Sequence, residues 1–156
     1  MLRFLRRLSR DRRGVSVIEF AFVAPILVLF LVGIIDGARA ISAKLTLDQT
    51  VYRALEKATV GTNQTDYNSI LTNEVQNTAG YSATDAITVT QWLECDLNGT
   101  KLAYTSNCSP TQQSTRYVQL QVDRQFAPSF GYGKWFLGAN ANGIVTLTAT
   151  STVRMQ

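Results

Sequence analysis

Few groups in this sequence could do chemistry, and where they stand matters more than how many there are. Glu19 lies inside Val15–Ile35, a run of 21 residues whose only other polar member is Ser16. A carboxylate inside a membrane helix costs a few kcal/mol, so such residues are usually functional. The other reading is an interfacial glutamate that reaches for the headgroups or pairs with Arg13. Cys95 and Cys108 stand 13 positions apart. In an oxidising compartment they can close a disulfide, which loop entropy values at about 3 kcal/mol; two unrelated buried thiols are the alternative. The chain has no histidine, which excludes Ser-His-Asp and Cys-His catalysis and any His-ligated zinc or haem. Two cysteines cannot hold a four-thiolate metal or an iron–sulfur cluster. The acidic residues are scattered, no glycine-rich phosphate loop occurs, and the serines lack a base. The sequence therefore predicts no catalytic site, no metal and no cofactor.

The elements that position Glu19 are legible from charge and hydropathy. Of 15 basic residues, Arg3, Arg6, Arg7, Arg10, Arg12 and Arg13 lie in the first 14 positions against a single Asp11, a net of +5. The remainder carries a net of −1, so it has no basic face for nucleic acid. From Phe20 to Ile35 the sequence reads FAFVAPILVLFLVGII. At about 1.5 Å per helical residue, Val15–Ile35 spans roughly 30 Å, the thickness of a bilayer's hydrocarbon core. The rest of the chain could hardly bury a helix apolar on every side, so a lipid bilayer is the expected partner. Arginines crowd the N-terminal flank, whereas Asp36, Arg39 and Lys44 open the other. The positive-inside rule keeps the N-terminus cytoplasmic and sends residues 36–156 across the membrane. Pro25 removes one backbone hydrogen bond and is expected to kink the helix near Ala21–Ala24, or to be tolerated as a membrane-helix proline.

Arg12-Arg13-Gly14-Val15-Ser16-Val17-Ile18-Glu19-Phe20 resembles the processing site of type IV prepilins and pseudopilins. There a membrane peptidase cuts after the glycine, and glutamate is the fifth mature residue. The resemblance implies a cut between Gly14 and Val15, with Val15 where many type IV pilins have Phe. A new ammonium at Val15 of one subunit would then neutralise Glu19 of another. A more specific resemblance covers about Arg10 to Leu45. Arg13-Gly14, Ile18-Glu19-Phe20-Ala21, Pro25 and a small acidic/arginine turn at Asp36-Gly37-Ala38-Arg39 are similar to the TadE-like family. That family implies a pseudopilin or minor pilin of tight-adherence (Flp-type) pili. Its implied partners are a prepilin peptidase, other pilins or pseudopilins, and the pilus assembly platform in the bacterial inner membrane. The length favours the small kind of member without a von Willebrand-type insertion.

Beyond the membrane run the helix is expected to continue to Val60, making a rod of roughly 65–70 Å. Its apolar stripe is read as Ile34, Ala38, Ile41, Leu45, Tyr52 and Leu55, with Asp48 the polar member. Gly61 supplies a stop. Thr65 or Asp66 would cap a second helix with apolar face Tyr67, Ile70, Leu71, Val75 and Ala79, ending near Gly80. Strands are expected at Ala86–Leu93, Tyr117–Phe126 and Ile144–Arg154, the last two alternating apolar and polar. The fold class is α+β. It comprises a leader at 1–14, a transmembrane helix at 15–35, its exported continuation at 36–60, and an exported domain at 61–156 with an antiparallel sheet of about three strands. Phe130, Tyr132, Trp135 and Phe136 fill a glycine-rich loop that is either a flap over a small core or a subunit contact. The sequons at Asn63, Asn98 and Asn107 are background in a chain this rich in Asn and Thr.

Three functional readings follow. The first is an assembly subunit cut after Gly14. The second is an uncut single-span anchor presenting a binding domain. The third is a secreted protein cut after Ala40, since Ala38-Arg39-Ala40 resembles a signal-peptidase site. Against the third, 16 uninterrupted apolar residues exceed the usual apolar core of a signal peptide.

Overall fold

The computed structural model describes residues 13–60, 66–78, 81–96, 99–129, 134 and 138–155, and the side chains of helix residues from 16 onward. Its longest element is helix α1 (Arg13–Val60), which continues through Pro25. Two compact units divide the chain, Met1–Arg39 and Ala40–Gln156. In the first, the helix carries exposed Val17, Phe20, Phe22, Leu29, Phe30 and Ile35 around its circumference. It is long and apolar enough to cross a membrane by length and composition. Asp36 to Arg39 is helical, as the expected continuation to Val60 requires, and Arg39 Nη1 lies 3.1 Å from Asp36 Oδ1 one turn away.

The second unit adds helix α2 (Tyr67–Gln76) and strands β1 (Ala86–Cys95), β2 (Leu102–Ala103), β3 (Ser114–Phe126) and β4 (Val145–Met155). The sheet order is β2-β1-β3-β4 and every neighbouring pair is antiparallel. The α+β class is as expected, but the strand count is four. The extra strand is the two-residue β2, which pairs Trp92 with Ala103 and Leu93 with Leu102. Its pairing partner and the covalent loop that presents it are tertiary facts, so two residues left no periodicity to read. Helix α2 stops at Gln76 rather than near Gly80. The Asn77 N–H still bonds the Asn73 carbonyl, and the Thr78 hydroxyl takes that of Glu74, closing the last turn. Its start is capped by Asp66, whose Oδ1 accepts from the Ser69 N–H at 3.2 Å. Those hydrogen bonds lower the Asp66 carboxyl below its ordinary range.

Alternation in β3 sets the core. Val118, Leu120 and Val122 are fully buried, whereas Gln119, Gln121 and Asp123 turn to the other face. Cross-strand register adds Val89 opposite Leu120, Ile87 opposite Val122 from β1, and Ala149 opposite Val122 from β4. Leu47, Val51, Ala54, Leu55 and Ala58 of α1 and Tyr67, Leu71 and Val75 of α2 complete one cluster with this face. Each fully buried aliphatic side chain is worth about 1.5–3 kcal/mol. The imperfect alternation of β1 has a local cause. Leu93 faces the core, while Trp92 is covered on the opposite face by Tyr117, stacked at 5.4 Å, and by the Lys101 ammonium 4.0 Å from its ring.

Two devices hold the connections. Cys95 and Cys108 are disulfide-bonded with Cα atoms 5.7 Å apart, and the loop they close is tied down at Tyr104. That ring meets Tyr67 edge-on at 6.1 Å, and its carbonyl accepts from Arg116 Nε at 3.3 Å. Burial, with Tyr67 beside it, pushes the Tyr104 phenol up against the opposing pull of Arg116. The entry to β1 is held by a buried ion pair. Arg124 Nη2 and Nε lie 2.7 and 3.0 Å from Asp85 Oδ2, which also accepts from the Ser82 N–H at 3.1 Å. The Asp85 side chain is fully buried. Removing one member of such a pair strands the other charge, at a cost of about 3–5 kcal/mol. Asp85→Ala should therefore lower unfolding free energy by that much in chemical denaturation followed by near-UV circular dichroism. Asp85→Leu combined with Arg124→Met should lose markedly less.

Candidate functional site

Gly14, Val15 and Glu19 all lie on α1, with Gly14–Val15 in its first turn. Glu19 is four positions after Val15, so they fall on one face of the helix, one turn apart. Glu19 is exposed, between the equally exposed Ile18 and Phe20. Its carboxylate therefore sits on a surface that is otherwise hydrocarbon. Pro25 lies six residues on, inside the continuous helix.

In the second unit the same helix presents two apolar stripes rather than one. The buried stripe is Leu47, Val51, Ala54, Leu55 and Ala58. The stripe read from the sequence is a different one: Ile41, Leu45 and Tyr52 remain 63%, 56% and 60% exposed, and of its expected members in this unit only Leu55 enters the core. Both sets follow three- and four-residue steps, so periodicity alone could not choose between them. The sheet chooses. It packs on the side carrying Leu47 and Val51 and leaves the other stripe about a third of a turn away. Lys44 helps to fix that choice, donating 2.6 Å hydrogen bonds both to Asp48 Oδ1 and to the Thr148 carbonyl of β4.

The other expected site residues fall in three groups. Cys95 and Cys108 are joined, as described. The helical candidates Gly14, Val15, Glu19 and Pro25 share α1 with the exposed stripe. Phe130, Tyr132, Trp135 and Phe136 lie outside the described residues, as do the leader up to residue 12 and the sequon residues Asn63 and Asn98. The Asp85–Arg124 pair and the anchoring of Lys44 on β4 were not visible in sequence, because each joins residues far apart along the chain. Among the described residues no group of three His, Cys, Asp or Glu side chains is arranged to hold a metal.

One helix long and apolar enough to span a bilayer precedes a small α+β unit with a disulfide, an arrangement consistent with a membrane-anchored protein. Residues 14–55 match the family model described as TadE-like protein, so this segment of the chain is TadE-like. The match begins at Gly14 and covers Glu19, Pro25, the Asp36–Arg39 pair and most of the doubly apolar stretch of α1. It bears out the resemblance seen in the sequence, and together with the apolar helix it fits a membrane protein associated with tight-adherence pili, a family that is not one of enzymes. No curated protein and no solved structure matches the chain.

The two stripes should separate in mutagenesis. Leu47→Ala removes a fully buried side chain and should cost about 2–5 kcal/mol of stability. Leu45→Ala, two positions away and more than half exposed, should change it by less than about 0.5 kcal/mol. Denaturant midpoints of the full chain in micelles measure both.

Proposed function

We propose that this chain is a pseudopilin or minor pilin, cut between Gly14 and Val15 by a prepilin peptidase and acting in the assembly or initiation of a tight-adherence pilus. It sits in the bacterial inner membrane with its N-terminus cytoplasmic and the unit beyond the anchor periplasmic or extracellular, from where it enters or primes the pilus. The observation that carries the reading is the TadE-like match over residues 14–55, which begins at the glycine of the proposed cut. The chemistry of α1 supports it. A carboxylate at Glu19, exposed on an apolar helix surface, is stable in lipid only if something neutralises it. Cleavage would create an ammonium at Val15 one turn away along the helix. Paired between subunits, the two charges offset each other's desolvation and favour one axial register. The positive N-terminal flank and the disulfide agree with the assigned sides of the membrane. The doubly apolar exported helix agrees with a protein that uses one stripe to fold and keeps another for neighbours.

The first residue of the protein recovered from membranes tests this reading. Val15 is expected; Met1 would indicate an uncut anchor, and Ile41 a secreted product cut after Ala40. Glu19→Ala should leave insertion intact and cut pilus formation severely, scored by membrane fractionation and pilus counts. Normal pilus numbers in that variant would remove the charge-pairing role.

A further inference from the structure

The free edge of β4 carries backbone groups that select what can bind there. β4 ends the sheet and pairs with β3 residue for residue from Val145 to Met155, without a bulge. In an antiparallel strand, successive residues aim their N–H and C=O groups alternately at one neighbour and at the other side. Two bonds show which residues of β4 aim away from β3. Asn140, beside the Ala139–Val145 bridge on the free side, donates its N–H to the Ile144 carbonyl at 2.9 Å, and Lys44 Nζ reaches the Thr148 carbonyl at 2.6 Å. The even-numbered residues therefore face outward, which adds Thr150, Thr152 and Arg154. Among the described residues, the outward backbone groups of these three have no hydrogen-bond partner. Exposed edges are ordinarily blunted by lysine, proline or a bulge. Lys44 does this at Thr148, but no lysine, proline or bulge stands at Thr150–Arg154. Arg154 adds a charge: it is exposed and makes no ion pair among the described residues. A second copy of β4 does not answer it. The antiparallel register that uses all three outward residues sets Thr152 on Thr152 and Arg154 on Thr150, so neither guanidinium gains an anion.

We propose that Thr150–Arg154 is a docking edge for an extended segment of another protein, which adds to the sheet as a fifth strand and carries an acidic residue opposite Arg154. Main-chain bonds to Thr150, Thr152 and Arg154 supply the attraction, and the facing charge supplies the choice of partner. The segment's side chains fall alternately beside the exposed threonines and beside the half-buried Ser151 and Val153, so it alternates polar and apolar residues. The proposal concerns the unit Ala40–Gln156 alone and does not rest on the assembly reading above.

The test titrates the full chain in micelles into a fluorescein-labelled, end-blocked peptide, Ser-Val-Glu-Val-Thr-Val-Thr-Ser, and follows anisotropy. Saturable binding is expected. N-methylation of the peptide's Glu and Thr amides, which face β4, should abolish it, whereas N-methylation of the Val amides should not. Thr152→Pro removes only an outward N–H and keeps the pairing with β3, a position where edge strands tolerate proline; it should abolish binding too. The methylated peptides leave the protein unaltered, so a folding defect in the proline variant cannot mimic their result. Arg154→Glu should weaken binding about fivefold, the scale of one cross-strand charge pair, and a peptide with Lys in place of Glu should recover the loss. No saturable binding would overturn the proposal, as would binding indifferent to Thr152→Pro, to Arg154→Glu or to which amides are methylated. A chain that is dimeric in micelles, and monomeric once Thr152→Pro is introduced, would also overturn it by giving the edge to a second copy. None of these results depends on cleavage at Gly14 or on Glu19, so the assembly reading stands or falls separately.

Discussion

The structure of the unit Ala40–Gln156 depends on one packing contact, between the Leu47–Ala58 stripe of α1 and the Val118–Leu120–Val122 face of β3. A unit this small has little core to spend. The central strand must bury one whole face, and no other described helix is long enough to cover it. Helix α2 adds only Tyr67, Leu71 and Val75. The rest of the architecture follows from keeping α1 seated: Lys44 ties it to β4, and Lys57 pairs with Glu74 across to α2. At the sheet's far end, the disulfide loop carries β2 and Tyr104 to the α2 side of the core.

That contact also explains why the helix can carry a second apolar stripe without the fold using it. A helix packed on a sheet buries about a third of its circumference. Apolar residues on the remaining arc contribute nothing to the isolated unit and are a solubility cost. Ile41, Leu45 and Tyr52 stand on that arc. They lie within the TadE-like segment, which ends at residue 55. The opposite face of the sheet behaves differently. Thr88, Thr90, Thr148, Thr150 and Thr152 lie exposed there, a polar surface that water satisfies.

Much of this was legible from residues alone because the signals were local. The membrane run, its charged flank and the glycine, glutamate and proline within it needed only composition and order. The alternation of β3 and β4 located both strands to within three residues, since one buried face imposes a period of two. The Asp66 cap was visible as a residue type before an apolar repeat. What failed did so for identifiable reasons. The α1 stripe was misplaced because two apolar periodicities overlap between Ile41 and Leu55. The length of α2 was overrun because Thr78 and Asn77 close a helix with bonds that glycine spacing does not announce.

The sequence by itself determined that one helix is apolar enough for lipid, that a glutamate interrupts it, and that an α+β unit follows. Each of these is a property of neighbouring residues and the solvent they prefer. Only the tertiary structure decided which side of α1 would be core and which would stay open. That choice is made by residues scores of positions away, through the Thr148 carbonyl that holds Lys44 and the sheet face that receives Leu47 and Val51. Helical periodicity can list the candidates for burial, but only a partner surface of the right shape removes one of them from water.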